Sequence, residues 1–394
     1  MSARRPLDAV VAGGGMAGAA AALALAQAGF AVTLLDHQRP PDWSPAAPQD
    51  LRVVALAPSS AQLLDRLGVW PAIVAARVSP YRAMRVWDAA SGAEFGFDAA
   101  LLDRDGLGWI VENSLVQSVL WQALAAAGVE CRAPVTVGAP LQESGRVLVP
   151  LGDGSTLTAR LLIAADGRES PLRAAAGIAS RGRGYGQRAV VAHLDVERPH
   201  ADTAWQRFLP GGPLALLPLA DGRVSLVWSL PEAEAARVLA LDDADFCTAV
   251  GVGSDFRLGC VLATTPRAAF ALRLGVAERF AATRLLLLGD AAHAVHPLAG
   301  QGINLGLRDV VELVAVLTAA RDAGADIGAD SVLHRYARRR RSADTLDAHG
   351  FDAIARAFAI DAAPWAALRG FGMRALDRLP ALKRRLAAHA AGLQ

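Results

Sequence analysis

The 394-residue sequence predicts an α/β fold. A Rossmann-type domain, laid out in three separated pieces, is interrupted by a mixed β-sheet domain and followed by C-terminal helices. Three observations predict it. A short apolar run, Leu7–Ala12, enters a glycine-rich turn and an Ala/Leu-rich helical pattern. Two further short apolar runs, Leu161–Ala165 and Leu285–Leu288, end at Asp166-Gly167 and Gly289-Asp290. Between those two lies a strand-rich stretch from about Tyr185 to Thr265. Apolar runs this short, bounded by turn residues, read as buried strands of a parallel sheet.

Taken in order, Leu7–Ala12 is the first strand, followed by Gly13-Gly14-Gly15-Met16-Ala17-Gly18 and a helix that Gly29 stops after Ala28. A second strand, Ala31–Leu35, ends at Asp36. Each glycine has a reason: a tight turn at Gly13, close approach of backbone to a pyrophosphate at Gly15, and close helix–strand packing at Gly18. The helix N-terminus offers free N–H groups and the positive end of a dipole to phosphates. Asp36 stands where a carboxylate accepts from ribose hydroxyls. The competing reading, a plain βα turn that merely needs glycine, explains the turn but not the ordered strand, helix, second strand and acid. The segment 38–49, rich in Pro and Ala, is an exposed loop. Arg52–Ala57 leads into a helix at about Ser59–Leu67, ended by Gly68. Arg82–Phe97 alternates around Ser91-Gly92 as a hairpin, and Asn113–Ala127 is helical by the spacing of Leu115, Val119, Leu120 and Leu124. Val129–Leu157 reads as a small meander with turns at Gly145 and Asp153-Gly154. Within the strand-rich stretch, Gly211–Ser229 reads as two strands around Asp221-Gly222-Arg223. Helices are expected over Gln301–Ala320, Ser331–Ala359 and Pro364–Ala391. The expected partition is therefore a nucleotide-binding domain over 1–75, 111–180 and 271–325, a β-rich substrate domain over 76–110 and 181–270, and a helical region over 326–394.

Composition excludes several classes. A net charge of +2 argues against nucleic acid as a partner. The charge is uneven, however: residues 334–394 carry 12 Arg/Lys against five Asp, a local +7. Lys383 is the only lysine, which removes Schiff-base chemistry and any phosphate loop needing a Gly-Lys pair. Cys131, Cys247 and Cys260 are far apart, which argues against a dithiol redox site, a zinc cluster and a disulfide-stapled secreted domain. The basic opening Ala3-Arg4-Arg5-Pro6 precedes an apolar run of only about six residues, better used as a strand than as an export signal. No stretch reaches the roughly 18 apolar residues of a membrane span. The expectation is a cytoplasmic protein, at most peripheral at the inner face of the membrane.

The stretch Gly289-Asp290-Ala291-Ala292-His293-Ala294-Val295-His296-Pro297-Leu298-Ala299-Gly300-Gln301-Gly302-Ile303-Asn304 resembles the "GD" motif of the flavoprotein aromatic hydroxylases. Ala164-Ala165-Asp166-Gly167-Arg168-Glu169-Ser170-Pro171 resembles the Asp-Gly motif that stands between the other two in that class. Its local reading is a strand end in which Ser170 caps a short helix with Pro171 at the first position, a cap expected to leave Asp166 free. Within the class, Asp50-Leu51-Arg52-Val53-Val54-Ala55-Leu56, Glu112-Asn113-Ser114-Leu115-Val116-Gln117 and Ala204-Trp205-Gln206-Arg207-Phe208-Leu209-Pro210 resemble the ubiquinone-biosynthesis hydroxylases. So does the tail Asp377-Arg378-Leu379-Pro380-Ala381-Leu382-Lys383-Arg384. Asp36 departs slightly, because that family more often has Glu there.

The resemblance implies a glutathione-reductase-like FAD-binding domain with FAD as cofactor and NAD(P)H as electron donor. O2 reacts with reduced flavin through a hydroperoxide, and one oxygen passes to the ring of a lipophilic, polyprenylated phenol or quinol. By the same resemblance FAD contacts fall on Gly13, Gly15, Gly18, Asp36, Arg52, Gln117, Asp166, Gly167, Asp290, Gly300, Gly302 and Asn304. The Pro297–Gly302 loop, with the Pro297 carbonyl and Gln301, faces the ring. The strand-rich insert roofs the pocket. No general base stands out; His193 and His296 are the best-placed imidazoles, although a lone histidine is more often structural. The His293/His296 pair lacks a third ligand and is not read as a metal site. The basic C-terminal helices have three readings: contact with anionic lipid, docking on partner enzymes of quinone biosynthesis, or a solvated face. Two other functions compete with the polyprenylphenol hydroxylase: a hydroxylase of a small soluble aromatic, and a flavin-holding accessory protein.

Overall fold

The computed structural model describes residues 7–294, 302–341, 357–358 and 362–391. The short apolar runs form the parallel part of an eight-stranded sheet, in the order Leu285–Leu287, Thr156–Ala164, Leu7–Ala12, Val32–Leu35 and Glu130–Arg132. Ala9, Val11, Leu161 and Ile163 face a core built with Leu23 and Leu25 of helix Met16–Gln27, Leu120 of Asn113–Ala126 and Leu313 of Gly302–Asp322. Val10, Ala12, Leu162 and Ala164 face a second core with Val147, Val149 and Phe280. Burial on both faces is why these strands read as continuous apolar runs rather than alternation.

Glu130–Arg132 pairs in parallel with Val32–Leu35, so the meander expected over Val129–Leu157 gives up its first strand to the cofactor sheet. The hairpin Leu141–Glu143/Arg146–Pro150 instead extends the antiparallel side through Thr156–Ala164. Helix Gly302–Asp322 runs past the expected end near Thr318–Ala320, until Gly324 at φ +69° allows the chain to turn.

The second large sheet has nine strands, ordered His293–Ala294, Ala268–Ala277, Ser180–Val196, Val224–Pro231, Gly212–Pro218, Thr203–Leu209, Ala83–Asp88 and Glu94–Asp98, with Val261–Thr264 beside Ser180–Val196. Thr203–Leu209 pairs in parallel with Ala83–Asp88, which brings the early hairpin into the sheet of the insert. The insert also contains two helices, Glu232–Leu239 and Asp243–Gly253, that the strand-rich reading passed over. Their signal was local: acids fill both first turns, and the Asp242 carboxylate accepts from the Asp245 N–H at 2.8 Å. They cover one face of the sheet, where Phe246 and Val250 pack on Val190, Leu214, Leu226 and Trp228. The opposite face stays open to a cavity.

A separate three-stranded sheet is formed by Val53–Leu56, Gly108–Glu112 and Val78–Tyr81. Near the C-terminus the single helix expected over Pro364–Ala391 is two, Ala363–Asp377 and Pro380–Ala390, because Pro380 lacks an N–H and starts a new helix. The first is held to the large sheet by a buried two-pronged ion pair, Arg369 Nε and Nη2 each 3.0 Å from an Asp88 carboxylate oxygen. Of the helix expected over Ser331–Ala359, 330–341 is helical and most of the remainder lies outside the described residues. Among the described residues no helix is long and apolar enough to cross a membrane.

Candidate active site

Strand register brings the three motifs together. Ala12 lies opposite both Ala164 and Leu35, and Ala164 opposite Leu287, so four strands end in one row. The next residues of each, Gly13, Asp36, Asp166 and Gly289-Asp290, therefore share the carboxyl edge of the parallel sheet, where open α/β sheets bind ligands. All of them line a single cavity of about 1100 Å³ that continues under the second sheet.

The glycines behave as their spacing suggests. Gly13 adopts φ +109°, and a Cβ there would overlap the Ala165 carbonyl. A Cβ at Gly18 would overlap the Gly13 carbonyl, so helix and strand approach as closely as backbones allow. At Gly15 a Cβ would meet no atom within 4 Å. That glycine faces the cavity at the helix N-terminus, leaving space for a group that must approach the backbone. The turn is pinned from the side by Gln117 Nε2 and Trp121 Nε1, which donate to the Gly14 carbonyl at 2.9 and 2.8 Å. Asp36, 8 % exposed, accepts from the Gly14 N–H with Oδ2 and from the Gln38 N–H at 2.9 Å with Oδ1.

Asp166 is less free than its motif suggests. Ser170 caps the short helix Pro171–Ala175 as expected, but its hydroxyl also donates to Asp166 Oδ1 at 2.5 Å, and the Leu172 N–H donates to Oδ2 at 3.1 Å. Burial still holds this carboxyl above the usual range, against the pull of those hydrogen bonds. Gly167 lines the cavity beside it. Asp290 projects from a tight turn at the end of strand Leu285–Leu287, exposed to the cavity. Arg52 also lines the cavity, its guanidinium 5.5 Å from the centre of the Phe270 ring.

Gly302 and Ile303 bring a second long helix N-terminus to the same space. Asn304, by contrast, turns its side chain inward and is fully buried. Its Oδ1 accepts from the Ala57 N–H at 2.9 Å and from Ser60 at 2.7 Å, and its Nδ2 donates to the Ala55 carbonyl at 2.8 Å. It joins the helix to the Val53–Leu56 strand, leaving only backbone to offer a ligand. Pro297, Gly300 and Gln301, with His296, lie outside the described residues.

Sequence reasoning missed a buried charge network behind the Gly289-Asp290 turn. Asp309 Oδ2 accepts from the Gly289 N–H at 2.9 Å and lies 2.7 Å from His293 Nε2, while Oδ1 meets Arg340 Nε at 2.6 Å. Burial alone would raise the Asp309 carboxyl; His293, Arg340 and the Gly289 N–H outweigh it and hold the group ionised below its ordinary range. The available signal was Asp309 at an otherwise buried helix position, seven residues after Gly302. Asp50 was missed too: its Oδ1 accepts from the Arg52 N–H and its Oδ2 from the Ser114 N–H, fixing the Arg52 segment.

The second sheet forms the apolar wall. Val191 lies opposite Val227, Val227 opposite Ala215, and Ala215 opposite Gln206, all on the face turned to the cavity. His193 follows Val191 on the same face but sits behind the cavity wall, 1 % exposed, with Nε2 3.0 Å from the Asp50 carbonyl. A carbonyl only accepts, so Nε2 carries the proton, and burial pushes the imidazolium pKa down. This histidine holds the Asp50–Arg52 segment against the sheet.

The sequence comparisons agree with this geometry. Residues 6–346 match the FAD-binding-domain family. The chain is 38 % identical over 392 residues to 3-demethoxyubiquinol 3-hydroxylase of Escherichia coli, covering 99 % of each. It is 38 % identical over 393 residues to ubiquinone hydroxylase UbiL of Rhodospirillum rubrum, covering 99 % of this chain and 91 % of that protein. Against the human mitochondrial ubiquinone-biosynthesis monooxygenase COQ6 it is 35 % identical, covering 97 % and 92 %. The fold matches p-nitrophenol 4-monooxygenase from Pseudomonas putida with a TM-score of 0.77 at 21 % identity, covering 98 % of both chains. The open cradle at Gly15, two helix N-termini and the carboxylates of Asp36 and Asp290 suit the pyrophosphate and polyol of FAD. The chain belongs to the ubiquinone-biosynthesis hydroxylase family of FAD-dependent monooxygenases.

Proposed function

We propose that this protein hydroxylates the aromatic ring of a lipophilic, polyprenylated phenol or quinol in ubiquinone biosynthesis, with NAD(P)H and O2 as co-substrates. The carrying observation is one continuous cavity whose floor is the nucleotide-binding sheet edge and whose roof is the aliphatic wall Val191, Val227, Ala215 and Leu217. FAD, when bound, would pass two electrons from NAD(P)H to O2, and O2 supplies the oxygen that enters the ring. Gly13, Gly15 and Gly18 would admit its pyrophosphate to the helix N-terminus, Asp36 its ribose, and Asp290 its ribityl chain. Arg52, Gln117, Asp166 and Gly167 would border it. Gly300, Gly302 and the backbone at Asn304 would place positive dipole beside the flavin ring system, a contribution of about 0.3–2 kcal/mol. Pro297 and Gln301 would face the substrate ring, and His193 would act through the Asp50 segment. The apolar wall would exclude water, which otherwise diverts reactive oxygen to peroxide.

Membrane contact is the proposed route for such a substrate. Leu368, Phe371, Leu379, Leu382 and Leu386 are 43–68 % exposed on the last two helices and the break between them, with Arg374, Arg378 and Arg385 exposed among them. Apolar and cationic groups so interleaved suit an anionic lipid surface. Binding to vesicles only when they contain anionic lipid is expected; equal binding to neutral vesicles, or none, counts against it.

The main test is NADH and NADPH oxidation by the flavin-loaded protein with a short-chain polyprenylphenol, read by mass spectrometry. A product one oxygen heavier, formed in step with cofactor oxidation, is expected. Peroxide alone across a panel of lipophilic phenols and quinols would favour the accessory-protein reading.

A further inference from the structure

We propose that Gln206, assisted by Tyr81, is the group that recognises an oxygen substituent on the substrate ring, and so sets which ring is accepted and how it is turned. The proposal rests on the ring-hydroxylase reading above. In the register of the second sheet the cavity-face neighbours of Gln206 are mainly aliphatic: Ala215 is directly opposite, Val227 and Val191 continue the same row, and Ala204 on the same strand lies opposite Met84. Gln206 interrupts this row with a carboxamide, and Ser229 adds only a hydroxyl farther along it. Gln206 is 7 % exposed, and its amide makes no hydrogen bond to any described residue. Neither amide atom is sealed in the core without a partner, so the amide opens to the cavity at a place where Leu or Met would continue the apolar wall. A ligand that covers the amide must offer it a polar atom, because the protein supplies none.

Tyr81 lies next along the wall. It lines the same cavity and, like Leu217 and Val53, packs against the cluster of Ala55, Ile110 and Leu219, and Leu217 is the next cavity-facing residue along the strand from Ala215. Its hydroxyl lies over Gly108, where any Cβ would come within 2.8 Å of it, and makes no hydrogen bond to a described residue. Burial pushes the phenol up to about 12, so it remains protonated and offers a donor. The carboxamide offers both an acceptor, for a ring hydroxyl proton, and donors, for a ring oxygen. The ligand that satisfies both residues is an oxygen-substituted aromatic ring carried on an apolar chain, rather than a plain hydrocarbon or an anion.

Binding is read in the holoenzyme from the change that a ligand makes in the visible spectrum of the bound flavin, which needs no turnover. The probes are a short-chain prenylated phenol and the same molecule with the ring hydroxyl replaced by methyl. Wild-type protein should prefer the phenol by roughly tenfold or more in Kd, the discrimination expected where a buried polar group loses its partner. Gln206→Leu should bring that ratio close to one while retaining full flavin and an unchanged or higher Tm. Tyr81→Phe should reduce it partway. An unchanged ratio in Gln206→Leu overturns the proposal whatever the turnover. A phenol preference that Gln206→Leu abolishes, in a protein that hydroxylates nothing, supports Gln206 and overturns the hydroxylase reading. Wild-type protein that binds neither probe overturns both.

Discussion

At the cofactor end of the cavity most of the groups presented are backbone: the N–H groups of two helix N-termini and the glycine positions that let a ligand reach them. At the substrate end they are side chains on β-strands, largely aliphatic, with Gln206, Ser229, Phe270 and the phenol of Tyr81 among them. A backbone site demands particular residue types at fixed spacing, because only glycine tolerates φ +109° at position 13 or the contact at position 18. A side-chain wall demands only that the right face be apolar, which many sequences satisfy. The first end is therefore intolerant of small changes and the second is tolerant of shape-preserving ones.

The sharpest way to break that contrast is Gly18→Val. Its side chain would overlap the Gly13 carbonyl, and the expected result is loss of folded, yellow protein, a cost above about 4 kcal/mol; a stable flavoprotein would show that the close approach is dispensable. Asp309→Asn comes next. It removes the buried carboxylate charge that Arg340, 8 % exposed, and His293 both meet, and a loss of about 3–5 kcal/mol in urea unfolding is expected. Asp290→Ala tests the site rather than the scaffold. The Asp290 side chain is exposed, so the thermal midpoint of the flavin-free protein should hardly move while flavin affinity falls by roughly tenfold or more. Stoichiometric yellow flavin retained after dialysis would remove Asp290 from the cofactor site.

The smallest effect separates His193 from the catalytic groups. Its folded pKa lies below the unfolded value of 6.5, so the unfolded chain binds the proton more readily. Stability is complete above about pH 6.5 and declines as pH falls through that value, by at most about 1.4 kcal/mol per pH unit, until the folded-state pKa is passed. His193→Gln should flatten this part of a Tm-against-pH curve; an unchanged slope would assign the acid sensitivity to other groups.

The parts legible in the sequence were those whose cause is local. The Leu7–Ala12 strand, the glycines after it, the helix Asn113–Ala126 and the Ser170–Pro171 cap all stand where residue type and spacing put them. Helices Glu232–Leu239 and Asp243–Gly253 were equally local, but their acidic first turns were outweighed by the strand pattern on either side. The break at Pro380 was present in the sequence as a proline within an otherwise continuous helical pattern.

Turn types, strand ends and the carboxylates placed at them follow from local residue choice, because turn and strand-end conformations are set largely by neighbouring residues. Tertiary structure decided which strand ends share a row, since Ala12 meets Ala164 across 152 positions of chain through pairing that no local signal encodes. It also decided that Asn304 bonds inward to Ala55 and Ala57, that Ser170 engages Asp166, and that Asp309 gathers His293, Gly289 and Arg340. For Gln206 the alternation of its strand offered two faces, and only sheet register and the helices covering the far side turned it toward the cavity.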